Sequence, residues 1–193
     1  MKKSRIIFLV SIIVLAIYAC NNDGKNGSID DDDTSTIAQD TTTILNLKLD
    51  KEDSLFAVSA ADHGMIQVEM GNLALKRGQS KQVKNFGAMM MREDGKAILK
   101  LAEIAQSKKI SLPLTIDTAA QKKMAILAKK RGVDFDKAYI KMMIDDHQQG
   151  VKLLEAASTK VQDPDLHKFA LKITPMLKAH LDAINSVQDS MEK

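Results

Sequence analysis

The chain has 193 residues, of which 28 are basic, 25 acidic, 45% hydrophobic and only 4% aromatic, with a single cysteine. Charge this close to balance leaves no electrostatic footprint for nucleic acid, and one cysteine excludes an internal disulfide. The small positive excess lies outside the expected fold. Lys2, Lys3 and Arg5 precede every acidic residue, and the chain after them carries 25 of each sign.

Those three residues form the basic start of an export signal. The apolar run that follows, Ile6 to Ile17, is shorter than the roughly 20 residues that cross a bilayer. It ends in Ala16-Ile17-Tyr18-Ala19-Cys20, which resembles the lipobox of bacterial lipoproteins. The resemblance implies cleavage before Cys20 and lipidation of its sulfur and its new amino group. Several acyl chains then hold the protein where one would bind only marginally. The segment after Cys20 is rich in Asp, Asn, Ser, Thr and Gly and cannot bury enough surface to fold. Asp30-Asp31-Asp32-Asp33 reads as solvated linker, although acidic residues soon after a lipidated cysteine also resemble surface-export signals. The expected organisation is a signal peptide over 1–19, lipidated Cys20 with a tether over 20–53, and a folded domain over 54–191. The expected location is the bacterial cell envelope, at the outer membrane. The membrane is then a partner through lipid, and the protein partner is undefined.

The domain has helical periodicity and no alternating strand pattern. The first helix is expected from Ser54 to Arg77, with Leu55, Val58, Met65, Ile66 and Leu73 on its apolar face. Ser80 caps a second helix that runs to about Lys109 along Val83, Phe86, Met90, Ala97 and Leu101. Leu112-Pro113 breaks the pattern, and a short helix over about Asp117–Arg131 stops at Gly132. A fourth helix follows, capped by Asp134 and lined by Phe135, Tyr139, Met142, Leu153 and Ala157. Asp163-Pro164 opens the last one, an acidic cap followed by proline at the first helical position. Pro175 is expected to kink it, because it removes one backbone hydrogen bond. Four long helices and one short connector predict an all-α four-helix bundle with a short fifth helix in the crossover.

At about 100° per residue, Glu69, Asp94, Asp146 and His180 each fall within an apolar stripe near the middle of a long helix. Buried charge is expensive unless it is paired, hydrogen-bonded or bound to metal. Four such residues at one height predict a central polar layer, with His147 flanking it and His63 and His167 peripheral. Three carboxylates and one or two imidazoles suit iron, manganese or zinc. A hydrogen-bonded layer with Tyr139 and buried water satisfies the same groups. Met65, Met90, Met142 and Met176 each precede a central polar residue by four. Thioethers would favour Cu(I), but methionine is also an ordinary core filler.

Ala60-Ala61-Asp62-His63-Gly64 with Glu69, Phe86-Gly87-Ala88-Met89-Met90, Phe135-Asp136-Lys137-Ala138-Tyr139, Asp145-Asp146-His147 and His180-Leu181 together resemble domain of unknown function 4142. The resemblance covers about Ser54 to Gln188 and implies a ferritin-like exported protein without an assigned activity. Where similar proteins carry Asp-His in the second helix, this chain has Asp94-Gly95. It also lacks the Glu-x-x-His pairs that build di-iron bundles.

Three functions fit the sequence. The first is a lipid-anchored bundle of undefined role whose polar layer holds one metal ion. The second is a metal-dependent oxidase or hydrolase using that layer, and the third is an envelope protein–protein interaction module. The sequence presents no nucleophile–base arrangement, phosphate loop or cysteine–histidine metal motif, and it leans away from an enzyme. If Cys20 is the lipid anchor, Cys20→Ser expressed in a Gram-negative host moves the protein from the membrane pellet to the soluble fraction and ends incorporation of labelled palmitate. Unchanged labelling would refute the lipobox reading.

Overall fold

The computed structural model describes residues 50–191. The expected signal peptide, Cys20 and most of the tether lie outside the described residues. Within them are five helices: α1 Lys51–Arg77, α2 Lys81–Ser107, α3 Thr118–Ala128, α4 Gly132–Lys160 and α5 Pro164–Met191. The long helices pair as hairpins, α1 with α2 and α4 with α5. The hairpins join through α1 against α4 and α2 against α5, while α3 crosses over α1 and α4. This is the expected four-helix bundle with a short connector. No described helix is long and apolar enough to cross a membrane.

Helix starts follow from local capping chemistry. Ser80 caps α2 by accepting from the Val83 N–H, and Asp117 caps α3 by accepting from the Ala120 N–H. Asp163 accepts from the Asp165 and Leu166 N–H groups at the head of α5. Two starts differ from expectation. Helix α1 begins three residues earlier, because Asp50 caps it and Glu52 and Asp53 suit the positive end of the helix dipole. Helix α4 begins at Gly132, not after Asp134. Gly132 has a φ of 58°, a left-handed conformation that turns the chain out of α3 directly into α4. Helix α5 is continuous through Pro175.

Two hydrophobic clusters fill the bundle. One centres on Phe56, Leu101, Leu154, Leu166 and Phe169, the other on Met70, Phe86, Met90, Phe135, Tyr139 and Met143. The stripe on α1 differs from the expected one. Leu55 is exposed, while Phe56, Ala57, Ala61, Met70, Gly71 and Ala74 are buried. The reason is a close helix approach: a Cβ on Gly71 would stand 2.5 Å from the Gly87 carbonyl oxygen, and one on Gly87 would stand 2.7 Å from the Ala74 Cβ. Small residues, not large apolar ones, mark this contact.

The hairpins are tied at both ends by buried aspartates. Asp136, in the second turn of α4, accepts from the Gln79 and Ser80 N–H groups at the α1–α2 turn, at 2.9 and 2.7 Å. Asp53, in the first turn of α1, accepts from the Gln162 and Asp163 N–H groups at the α4–α5 turn, at 2.9 and 3.1 Å. The Phe-Asp-x-x-Tyr element is thereby structural. Its aspartate staples a turn, and Phe135 stacks on Tyr139 with ring centroids 5.9 Å apart. Hydrogen bonds to charged groups contribute about 1.5–3 kcal/mol each. Asp136→Ala is therefore expected to lower unfolding free energy by about 3 kcal/mol or more in a urea titration, and a loss below about 1 kcal/mol would contradict the staple.

Candidate functional site

The middle of the bundle holds a polar layer. His63 on α1, Asp94 on α2, His147 on α4 and His180 on α5 all lie within three residues of their helix midpoints. Asp94, His147 and His180 are 2%, 0% and 1% exposed, so these three expected residues are indeed in the core. His180 and His147 are edge-to-face neighbours with ring centroids 5.8 Å apart, and Phe86 packs edge-on against His147 at the same separation. Asp94 Oδ2 stands 3.9 Å from His180 Nδ1, facing it but beyond hydrogen-bond reach.

Both imidazoles are oriented from behind. His180 Nε2–H donates to Glu93 Oε2 at 2.9 Å, and His147 Nδ1–H donates to the Met143 carbonyl at 2.7 Å. A carboxylate and a carbonyl can only accept, so these bonds fix where each ring carries its proton. In the neutral rings, the lone pairs are then on His180 Nδ1 and His147 Nε2. Neither atom has a partner.

These atoms belong to a larger group. Among the described residues, seven buried side-chain atoms lack a hydrogen-bond partner: His63 Nε2, both amide atoms of Gln67, Asp94 Oδ2, Tyr139 Oη, His147 Nε2 and His180 Nδ1. An unsatisfied buried polar atom costs about 1–3 kcal/mol, so a dry layer would cost on the order of 10 kcal/mol, as much as a typical domain's whole stability. Buried water or a bound cation would satisfy such groups. Among the described residues, however, no group of three or more His, Cys, Asp or Glu side chains is already drawn together as a metal cage.

Burial sets the protonation states. It pushes His63 and His147 down to about 4, leaving both rings neutral near pH 7. Asp94 is pushed up to about 7, by burial first and by the neighbouring Glu93 charge second. Glu93 is lowered, chiefly by its hydrogen bond from His180. Burial also raises Tyr139, which stays a neutral phenol.

Two expected site residues lie elsewhere. Glu69 is exposed and is not a member of the layer. The buried face of α1 runs through Phe56, Gln67 and Met70 instead, and Glu69 is about 200° round from Gln67. Asp146 is half-buried and lines a cleft between α1, α3 and α4 with Asp62, Asp117 and Lys123. On α4 the buried line passes through Met143 and His147, one residue beyond the expected Met142 and Asp146. His147 is consequently central, not flanking.

Sequence reasoning also missed three members. His63 is seven residues from both Phe56 and Met70, a spacing that would have placed it inward had the small residues set the wheel. Gln67 shares that face. Glu93 is half-buried on the rim, and no periodicity singles it out. His167, expected to be peripheral, bonds the Ser158 carbonyl at the α4–α5 turn at 3.0 Å. A Cβ at Gly95 would meet nothing within 4 Å, so that position adjoins open space with room for a side chain.

These states give the metal-free protein a defined pH response. Between about pH 4 and 6.5, His63 and His147 are neutral when folded but protonate when unfolded, so they make stability rise with pH. Asp94 opposes them from 3.8 to about 7, because the folded state holds a proton that the unfolded state releases. Asp94→Asn removes the opposing share. Its unfolding free energy should climb with pH more steeply than the parent's, by up to about 1.4 kcal/mol per pH unit. Equal slopes would contradict a protonated buried Asp94.

Solved structures share this architecture at low identity. CopM in its Cu(I)-bound form is 17% identical, covers 73% of this chain and 98% of its own, and superposes with a TM-score of 0.62. CopM in the Cu(II)-bound form is 19% identical, with 72% and 97% covered and a TM-score of 0.61. A DUF305 fragment from Deinococcus radiodurans is 12% identical, with 72% and 96% covered and a TM-score of 0.64. At these identities the likeness is one of fold. No curated protein matches the sequence. The signature of one family spans residues 38–187, and the chain belongs to that family, Domain of unknown function (DUF4142).

Proposed function

We propose that this protein is an exported, lipid-anchored helical bundle whose central layer takes up one borderline transition-metal ion, zinc or copper(II), on His147, His180 and Asp94. The observation that carries the metal reading is the paired orientation of the two imidazoles. Metal-binding histidines almost always donate their other ring N–H to a carboxylate or a backbone carbonyl. His180 does so to Glu93 and His147 to Met143, and each leaves an unpartnered lone pair within the layer. The unpartnered oxygen of Asp94 completes the set and would release its proton on binding.

The donor set also narrows the metal. Without Glu69 and Asp146 it is richer in nitrogen than the sequence suggested. Two imidazoles and one carboxylate suit zinc, copper or iron better than manganese, and the usual affinity order favours copper(II) and zinc. CopM, a bundle of this shape, is known in a copper(II)-bound form, which supports the fold as a host for that ion. Uptake would draw the ligands together across the 3.9 Å that separates Asp94 from His180. The export and anchoring part of the proposal rests on residues 1–20.

The competing reading is a hydrogen-bonded layer filled by buried water, favoured by the lack of a three-ligand cage among the described residues. Thermal melts of the metal-free protein with added zinc or copper(II) separate the two. A metal at a hundred times its dissociation constant stabilises the folded state by about 2.7 kcal/mol, or roughly 10 °C for a domain of this size. His147→Ala and His180→Ala should each abolish that rise. No rise in the parent, together with no metal by elemental analysis, would leave the water-filled layer standing.

A further inference from the structure

The near-even charge of the chain hides an uneven placement. Two turns lie side by side at the end of the bundle where α1 passes into α2 and α3 into α4. A Cβ on Gly132 would stand 2.9 Å from Gln79 Oε1, and Asp136 joins the same two turns through the Gln79 and Ser80 N–H groups. The first turn brings Lys76, Arg77, Lys81 and Lys84, and the second brings Lys129, Lys130 and Arg131, all of them exposed. Over 76–84 and 129–136 the carboxylates are Asp134 and Asp136, and Asp136 is buried and spent on backbone N–H groups. The last turn of α5, held here by Gln82 Nε2 donating to Ser190 Oγ at 3.0 Å, adds Asp189. Among the described residues, none of these cations pairs with a carboxylate. At the other end of the bundle, by contrast, Lys108 bridges Asp163 and Asp165.

Helix-dipole chemistry accounts for part of this set. Lys76 and Arg77 close α1, and Lys129, Lys130 and Arg131 follow the end of α3, where cations suit the negative end of the dipole. Lys81 and Lys84 open α2, where the dipole repels cations and no acidic residue in the first turn offsets them. Mutual repulsion among the grouped cations opposes folding, so stability does not explain the grouping. Three exposed apolar side chains stand among them. Leu75, Ile126 and Val133 are 40%, 63% and 48% exposed, and Lys76, Lys129 and Arg131 are their close neighbours along the chain. Cations interleaved with exposed apolar groups match a surface that is anionic outside and apolar just beneath.

We infer that this end of the bundle is a docking face for an anionic phospholipid bilayer. The cations lie against the headgroup phosphates, and Leu75, Ile126 and Val133 enter the boundary below them. A soluble polyanion would meet the charge equally well but would leave those apolar side chains uncovered. The choice of a bilayer rests on the anchoring part of the proposed function. Helix α1 starts at the opposite end of the bundle, and its 27 residues span about 40 Å. The stretch from residue 20 to residue 50 reaches at most about 100 Å, so a lipid on Cys20 and the docking face are able to engage one bilayer together. Docking holds the domain against the surface instead of leaving it at the end of its tether.

The test is co-sedimentation with vesicles of the chain from residue 20 onward, carrying Cys20→Ser so that no lipid is attached. Vesicles of roughly seven parts phosphatidylcholine to three parts phosphatidylglycerol are compared with phosphatidylcholine alone. The parent should bind the anionic vesicles, not the neutral ones, and come off as salt rises above about 0.15 M. Combining Lys81→Gln, Lys84→Gln, Lys129→Gln and Lys130→Gln should lower the partition coefficient at least about thirtyfold. Combining Lys51→Gln, Lys152→Gln, Lys168→Gln and Lys172→Gln, an equal loss of charge in the opposite half, should leave it within about threefold of the parent's. Melts establish that each variant is folded. No binding by the parent, or equal losses in the two variants, would overturn the docking face. Binding to inorganic polyphosphate without binding to vesicles would overturn the bilayer in favour of a soluble polyanion. Because the tested chain carries no lipid, failure here is distinct from failure of the lipobox reading, which palmitate labelling reports.

Discussion

Two buried carboxylates fix the register on which everything else in this bundle depends. Asp53 and Asp136 lie at opposite ends, each near the start of one hairpin and each accepting two backbone N–H groups from the other hairpin's turn. A buried carboxylate is tolerable only with such partners. Because α1 and α4 run antiparallel, a slip of one helical turn, about 5.4 Å, would break both staples together. Lys108 adds a further tie by bridging Asp163 and Asp165 at 2.6 and 2.8 Å. Sequence thus sets helix starts, the starts set register, and register sets which side chains share a height.

The polar layer is a consequence of that alignment. His63, Asp94, His147 and His180 come from four different helices, and no pair is close in sequence. Their convergence is imposed by the two ends, not by local attraction. The layer divides the apolar core into two clusters, one on either side. It also concentrates three of the chain's four histidines. Glu93 and the Met143 carbonyl then decide which nitrogen of each imidazole faces inward.

Much of the fold was legible from residues alone, for reasons that can be named. Ser80 and the Asp163-Pro164 pair are caps with one dominant local meaning, and they placed two helix starts correctly. Asp94 and His180 were found because α2 and α5 have wide apolar stripes that define their inward direction. Helix α1 misled because its buried face is built from Ala57, Ala61, Gly71 and Ala74, which carry little hydrophobic signal but permit close approach to α2. Setting the wheel by Leu55 and Leu73 turned Glu69 inward and His63 outward. On α4 an error of one residue, or about 100°, exchanged Asp146 for His147. Tertiary pairings such as His180 with Glu93, 87 residues apart, leave no local trace at all.

The most direct test of a metal-receiving layer is X-ray absorption at the zinc edge of the zinc-loaded protein. The account predicts a first shell of nitrogen and oxygen at about 2.0–2.1 Å, with the outer-shell scattering characteristic of at least two imidazoles and no sulfur. A shell of oxygen alone, as from surface carboxylates and water, or one dominated by sulfur, would contradict it.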